Sequence, residues 1–346
     1  MSTMRGVVFP GNRKVEVREF PIPVPGPDEV LVQMKASAIC RSDMSLYYGN
    51  PVVGGEAARS GAIIPGHEPA GVVAAVGENV SSVQVGDRVA VYLAVGCGKC
   101  AHCKSGYLMF CPDWKCIGFD LHGGDADYIL VPEKNCMKLP DSLSFVAAAV
   151  STDAIGTLYH AQKRLGISGK DTVAIFGLGP MGGAGVLVAK ALGATVIAID
   201  VIEERLQKAK EWGADYVING KSEDAVKKIR EITQFKGADA AIDCSGNTIA
   251  ENQALDCVRP HGRVAFIGEN REATIKPSDQ LIRKQLTLIG SWYFSDFTNT
   301  RKSQNSSFAK NVRAEQLVTH TFSIEQAEQA FRMFDERKTE KAVFVW

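Results

Sequence analysis

The sequence predicts an α/β chain in two parts, a β-rich domain with long loops followed by a doubly wound, parallel, six-stranded sheet. Before about residue 150, apolar residues come in short alternating runs broken by Pro and Gly, the pattern of half-buried strands. After about residue 154, apolar strand, glycine turn and amphipathic helix recur in series, the pattern of a parallel sheet covered on both faces. The length of 346 residues, with 45% hydrophobic and 23% charged, suits about two globular domains.

In the first part, strands are expected at 29–35 (EVLVQMK), 71–76 (GVVAAV), 87–93 (DRVAVYL) and 127–131 (DYILV). In the second, six strands are expected at 172–177 (TVAIFG), 196–200 (VIAID), 216–220 (YVING), 240–246 (AAIDCSG), 263–268 (RVAFIG) and 286–292 (LTLIGSW). Helices are expected between them at 181–192, 202–212, 223–233 and 249–258. After Ser291 the alternation stops, and the polar stretch DFTNTRKSQNSS leads into a helix-like IEQAEQAFRMF and a final strand, KAVFVW. That tail does not extend the parallel sheet, so it is expected to return to the first domain. The expected division is therefore 1–153, 154–291 and the returning segment 292–346.

The 39 basic and 39 acidic residues cancel, so the chain lacks the basic excess that displaces counterions from nucleic acid. A small soluble partner is expected instead. No apolar run reaches the ~18–20 residues of a membrane span, and the start lacks the apolar stretch of a signal peptide, so a cytoplasmic, membrane-free protein is expected. The nine cysteines agree: they are odd in number, and four crowd into residues 97–111, which points to metal rather than disulfides.

Gly177-Leu178-Gly179-Pro180-Met181-Gly182 follows an apolar strand and opens a helix, the setting in which such a turn brings backbone N–H groups to a pyrophosphate. Asp200 ends the next strand, where a carboxylate accepts hydrogen bonds from adenosine ribose hydroxyls and repels a 2′-phosphate. This favours NAD over NADP, with Arg205 close enough to blur the preference. Cys97, Cys100, Cys103 and Cys111 offer four thiolates in one loop, enough to close a tetrahedral structural zinc site. Lys99 and Lys104 are available to offset its negative charge. A second set is dispersed: Cys40 in AICRSD, His67 and Glu68 in PGHEPAG, and Asp153 in STDAIG. Taken singly, each reads as an ordinary polar residue or cap.

Taken together, Cys40-Arg41-Ser42-Asp43, the stretch from Gly66 to Gly77 (GHEPAGVVAAVG), Gly86-Asp87-Arg88-Val89, the four-cysteine loop and the 177–182 turn resemble the medium-chain, zinc-dependent alcohol dehydrogenases, especially their polyol (sorbitol-like) and threonine dehydrogenase branches. The resemblance implies a chaperonin-10-like β-rich catalytic domain, a Rossmann dinucleotide-binding domain and an active site in the cleft between them. It implies two zinc ions per chain. Cys40, His67 and Asp153 match the ligands of the catalytic zinc, Glu68 the acid beside it, Ser42 the hydroxyl that takes the substrate proton, and Arg41 a cofactor contact. Many relatives carry Cys or Glu at the position of Asp153. Where many carry a proton-relaying His, this chain has Ser45, which relays a proton but does not hold one near neutral pH.

One thiolate, one neutral imidazole and one carboxylate would leave a zinc dication close to neutral, still acidic enough to lower the pKa of a bound hydroxyl. The expected reaction is hydride transfer between NAD and a secondary alcohol or ketone, most simply on a polyol, sugar or vicinal diol. Threonine or another amino alcohol, and nicotinamide-dependent aldehyde dismutation, are the alternatives. Ser42, Tyr48, Phe119, Trp292 and Tyr293 are candidate pocket residues. A zinc-stabilised nucleotide sensor or a structural protein would need the cysteine loop and the glycine turn but would have no use for Cys40, His67, Asp153 and Ser42 together. Relatives pair the edges of their nucleotide-domain sheets, so a homotetramer is expected, with 286–292 as the pairing edge.

Overall fold

The computed structural model describes residues 2–51, 53–295 and 312–346, and the chain divides into two compact units. The first comprises Met1–Asp153 and the C-terminal segment Ala314–Trp346, and the second Ala154–Phe294. The polar stretch 296–307 lies outside the described residues.

The first unit opens with an antiparallel hairpin, β1 (Thr3–Val8) and β2 (Glu16–Pro21), which the sequence reading missed. β2 is almost wholly exposed, so it carries little of the apolar alternation that signals a strand. β3 (Glu29–Ala38), β4 (Pro69–Val76) and β5 (Arg88–Val91) follow, with the short pair β6 (Ala94–Val95) and β7 (Lys115–Cys116), then β8 (Tyr128–Pro132) and β9 (Cys136–Lys138). β16 (Val318–Phe322) and β17 (Lys341–Val345) complete a seven-stranded sheet in the order β16-β17-β3-β4-β5-β9, with β8 also on β3. β17 runs antiparallel to β3, with Val343 opposite Ala38 and Val345 opposite Ala36. Val30, Val32, Met34, Val89, Val91 and Val131 are buried together in the hydrophobic core of this sheet. Helix Ala327–Asp335 adds Phe331, whose ring centroid lies 5.9 Å from that of Phe344 on β17.

The second unit holds a six-stranded, all-parallel sheet of β10 (Thr172–Phe176), β11 (Thr195–Asp200), β12 (Tyr216–Asn219), β13 (Ala238–Asp243), β14 (Val258–Phe266) and β15 (Thr287–Gly290). Its order is β12-β11-β10-β13-β14-β15, with every pair parallel. The predicted doubly wound sheet is therefore present. Helices Pro180–Ala191, Glu203–Glu211, Ala225–Ile232 and Thr248–Cys257 lie within two residues of the expected bounds. Ala174, Ile197, Ile199, Ala241 and Val264 are buried in its core, and such strands read as continuous apolar runs rather than alternating ones. The chain order reverses between β10 and β13, so their carboxyl ends form the crevice where such sheets take ligands.

No helix among the described residues is long and apolar enough to cross a membrane. One local expectation needs correcting. The strand-and-helix rhythm was expected from about residue 154, yet Phe145–Val150 and Gly156–Arg164 are helices joined by a π-helical turn, Ser151–Ile155. The Ala-rich segment carries little amphipathic signal because Ala147, Ala148, Ala149 and Val150 are all buried.

Candidate functional site

Two groups of metal-ligating side chains lie in the first unit, and within each the donor atoms are all within 4.8 Å of one another. One is Cys97, Cys100, Cys103 and Cys111. The loop turns sharply because backbone N–H groups are donated to sulfur: Cys100 N–H to Cys97 Sγ at 3.4 Å, Cys103 N–H to Cys100 Sγ at 3.4 Å, and Cys97 N–H to Cys111 Sγ at 3.3 Å. Cys97 Sγ and Cys103 Sγ are 4.0 Å apart. A disulfide needs ~2.05 Å, whereas four thiolates around a tetrahedral zinc with ~2.3 Å bonds stand roughly 3.8 Å apart. The donor set therefore fits zinc. N–H groups of Lys99 and Cys100 bring the Cys97 thiol down to about 6, while burial pushes Cys103 up to about 12.

The second group is Cys40, His67, Glu68 and Asp153. Cys40 follows β3, and His67 and Glu68 immediately precede β4, so neighbouring antiparallel strands deliver them to the same end of the sheet. Gly66 before them has φ +94°, and a Cβ there would lie 2.3 Å from Asp125 Oδ1, so the turn admits glycine only. Asp153 sits on the π-helical turn. Ser151 and Thr152 donate their hydroxyls back to the carbonyls of Ala147 and Ala149, both at 2.7 Å, competing with the regular helical ladder where it widens.

His67 is 1% exposed and Glu68 fully buried. Cys40 Sγ lies 3.3 Å from Asp153 Oδ2, and His67 Nε2 lies 3.5 Å from the same oxygen. His67 Nδ1 is 2.9 Å from Asp43 Oδ1, and the other Asp43 oxygen accepts the Cys40 backbone N–H at 2.8 Å. A carboxylate only accepts, so this contact places the ring proton on Nδ1 and turns Nε2 toward Cys40 and Asp153. Burial would lower the His67 pKa, but the Asp43 and Asp153 carboxylates and the Cys40 sulfur overcome it and hold it well above its ordinary value. Burial would likewise raise Asp153, yet His67 and Lys341 bring it to about 2. Burial raises the Glu68 carboxyl against the pull of Lys341, and the same pairing holds Lys341 protonated. Thiolate, imidazole and carboxylate around one point suit a borderline dication such as zinc.

Ser42 Oγ lies 3.3 Å from His67 Nε2, and Ser45 Oγ donates to the Ser42 carbonyl at 2.7 Å. The Phe119 ring is 5.5 Å from the His67 ring, whereas Tyr48 donates its hydroxyl to Asp335, with Arg13 and Arg41 over its face. Trp292 and Tyr293 lie in the second unit, stacked on each other. The roles of Asp43 and Lys341 escaped the sequence reading. Asp43 had a local signal, a carboxylate three residues after Cys40. Lys341 had only a charge at the start of an apolar strand.

In the second unit, Gly177 takes φ +81° at the end of β10, and a Cβ on Gly182 would lie 1.8 Å from the Gly177 carbonyl oxygen. Gly179 caps helix Pro180–Ala191 without a side-chain hydrogen bond, leaving the first helical N–H groups for an anionic ligand, while Pro180 at the first position removes a donor that would have no partner. Met181 follows in the first turn. Asp200 Oδ2 accepts the Leu178 N–H at 2.6 Å, and Oδ1 accepts those of Val201 and Ile202. Arg205 Nη1 is 3.9 Å from Asp200 Oδ2. The glycine turn and the acidic residue thus meet at the carboxyl ends of β10 and β11, a backbone cradle that fits a dinucleotide.

Residues 26–141 match the alcohol dehydrogenase GroES-like domain and residues 180–310 the zinc-binding dehydrogenase domain. The chain is 35% identical over 331 residues to sorbitol dehydrogenase of Bacillus subtilis, covering 94% of this chain and 92% of that protein. It is 36% identical over 344 residues to L-threonine 3-dehydrogenase of Pyrococcus horikoshii, covering 95% and 94%. An alcohol dehydrogenase of Escherichia coli, solved in complex with NADH, superposes with a TM-score of 0.89 at 28% identity over the whole of both chains. Two matched domains and near-full-length similarity to named dehydrogenases make this chain a member of the medium-chain zinc-dependent alcohol dehydrogenase family, an oxidoreductase of the CH–OH group.

Proposed function

We propose that the protein oxidises a secondary alcohol of a polyol, sugar or vicinal diol to the ketone, with NAD as hydride acceptor and release of one proton. The observation that carries this reading is the cluster of half-buried Cys40 with buried His67 and Asp153, and the Ser42 hydroxyl at His67. In it, Cys40, His67 and Asp153 hold a catalytic zinc, and Cys97, Cys100, Cys103 and Cys111 hold a structural one. The catalytic ion supplies Lewis acidity at the substrate oxygen.

The protein's own groups do the rest. Asp43 fixes the His67 tautomer and the Cys40 backbone. Ser42 Oγ takes the substrate's hydroxyl proton, and the hydrogen bond from Ser45 to the Ser42 carbonyl steadies that turn. Ser45 stands where many relatives carry a proton-relaying His, and its hydroxyl, donated to the Ser42 carbonyl, does not hold a proton near neutral pH, so the proton exit runs through water or another group. Gly177, Gly179, Pro180, Met181 and Gly182 cradle the cofactor pyrophosphate, with Arg41 as a further contact, and Asp200 takes the adenosine ribose beside Arg205. Residues 1–153 and 292–346 form the catalytic domain and 154–291 the nucleotide domain. The working form is a cytoplasmic homotetramer paired through β15, where Thr287 and Gly290 are exposed.

The similarity to L-threonine 3-dehydrogenase supports a second reading, oxidation of an amino alcohol. Reduction of NAD and NADP at 340 nm by zinc-replete protein, against polyols, sugars, vicinal diols, simple secondary alcohols and L-threonine, separates the two. Turnover confined to threonine overturns the polyol assignment, and silence on the whole panel overturns both.

A further inference from the structure

Asp153 reaches the metal cluster on a short side chain, a single methylene from the backbone, so its aim depends on where the helix carries its Cα. Its Oδ2 lies 3.3 Å from Cys40 Sγ and 3.5 Å from His67 Nε2, and the residue is 5% exposed. Upstream the register is fixed. Ser144 Oγ caps helix Phe145–Val150 by accepting the Ala147 N–H at 3.1 Å, and Ala147, Ala148, Ala149 and Val150 are buried. In a regular α-helix continuing from there, the Asp153 N–H would be donated to the Ala149 carbonyl, four residues back. That carbonyl is also claimed by a side chain: the Thr152 hydroxyl donates to it at 2.7 Å, and Thr152 is fully buried. The Ser151 hydroxyl donates to the Ala147 carbonyl at 2.7 Å, but that carbonyl keeps its regular partner, the Ser151 N–H. The ladder widens here into the π turn Ser151–Ile155, with Asp153 at its middle. A π turn takes in one extra residue, and at 3.6 residues per turn one residue is worth about 100° of rotation.

We propose that Thr152 is a positioning residue for Asp153: its hydroxyl, on the Ala149 carbonyl, holds the helix in the widened register that aims the Asp153 carboxylate at Cys40 and His67. The inference rests on the assignment of a catalytic metal to Cys40, His67 and Asp153. Without the hydroxyl, the Ala149 carbonyl is left with the Asp153 N–H as its nearest regular donor, and a buried carbonyl that lacks a donor is costly. The turn then tightens towards a regular α-helix. Asp153 rotates off the cluster, and the metal keeps only Cys40 and His67 of its three ligands. Valine at this position keeps the side chain's shape and loses the hydroxyl, whereas serine keeps the hydroxyl.

The test uses full-length protein with cobalt(II) in the catalytic site, whose visible bands report coordination, and zinc in the four-cysteine site as an internal control. It compares the parent with Thr152→Val, Thr152→Ser and Ser151→Ala. Two quantities are read: the cobalt bands, and the rate at which dipicolinate removes each metal. Thr152→Val is expected to release the catalytic-site metal about tenfold faster, with shifted bands and unchanged release from the four-cysteine site. Thr152→Ser and Ser151→Ala are expected to keep the parental bands and release. Parental bands and release in Thr152→Val overturn the proposal. So does equal acceleration at both metal sites, or the same loss in Ser151→Ala, because either assigns the effect to a loosened fold. If Thr152→Val does not fold, Thr152→Ala replaces it. If neither folds while Thr152→Ser does, the hydroxyl serves folding rather than aim and the proposal is overturned. Metal analysis separates the two levels: one metal in the parent, or two retained in Asp153→Ala, removes the metal assignment itself. Two in the parent, one in Asp153→Ala and parental behaviour in Thr152→Val remove the positioning role alone.

Discussion

Asp43 Oδ1 lies 2.9 Å from His67 Nδ1, and both side chains are sealed from solvent. The same carboxylate accepts the backbone N–H of Cys40 through its second oxygen, so one buried side chain orients two members of the metal cluster. Asn at this position keeps a single acceptor for the two donors. Asp43→Asn is expected to weaken catalytic-site zinc affinity by about 10–100-fold, measured by competition with a chromophoric chelator. Unchanged affinity would show that His67 needs no such partner.

The two metal groups share no ligand, so their losses separate. Cys100→Ala is expected to remove one zinc and lower the Tm by on the order of 10 °C, because the loop has little apolar core of its own. Asp153→Ala removes the other zinc and abolishes turnover while circular dichroism stays native. Zinc analysis beside thermal melts checks both, and loss of both ions from either variant would contradict their independence.

Cofactor choice is expected to hinge on Asp200. Asp200→Ser removes the charge that opposes a 2′-phosphate and frees Arg205, so the ratio of kcat/KM for NADP to that for NAD rises about tenfold or more. Ser also leaves some of the N–H groups of Leu178, Val201 and Ile202 without an acceptor, which costs about 1–3 kcal/mol of stability. A ratio that does not move would place the discrimination elsewhere.

Acid sensitivity in the second unit is expected at Asp171. Burial would raise its pKa, but the Ser168 N–H and hydroxyl, at 2.8 and 2.9 Å, together with the Arg263 guanidinium, hold it below the ordinary carboxylate value. A depressed carboxylate stabilises the fold above its unfolded pKa of about 4, and the contribution disappears as pH falls through the folded value. Asp171→Asn should therefore cost about 2 kcal/mol at pH 7 and progressively less below pH 4. Denaturant melts of both proteins across that range provide the check, and a difference independent of pH would assign the cost to packing.

What was legible in the sequence was what lies close together in it. The four cysteines and the 177–182 turn carry their geometry in their spacing, and parallel strands buried on both faces announce themselves as apolar runs. Cys40, His67 and Asp153 have no such spacing, and only the resemblance to a family joined them before the structure placed their donor atoms together. The π-helical turn that presents Asp153 has no pattern of its own, because hydroxyls bonded back to carbonyls look like ordinary Ser and Thr. Lys341 was the least legible, since its partner Glu68 is 273 residues away in the chain.

The place of β17 also bears on how the chain is made. This strand sits inside the first unit's sheet, beside β3, yet the Lys341 ammonium and the Ile39 carbonyl it faces are 302 residues apart. The six strands of the second unit occupy one continuous stretch between those partners. During synthesis the later-encoded unit therefore has all its strands outside the ribosome while the earlier-encoded one still lacks an interior strand, which reverses the usual amino-to-carboxyl order of domain folding. Until β17 arrives, an unpaired edge of β3 and the thiol of Cys40 stand open to solvent, and that interval is when a nascent chain of this kind most needs protection from aggregation and oxidation.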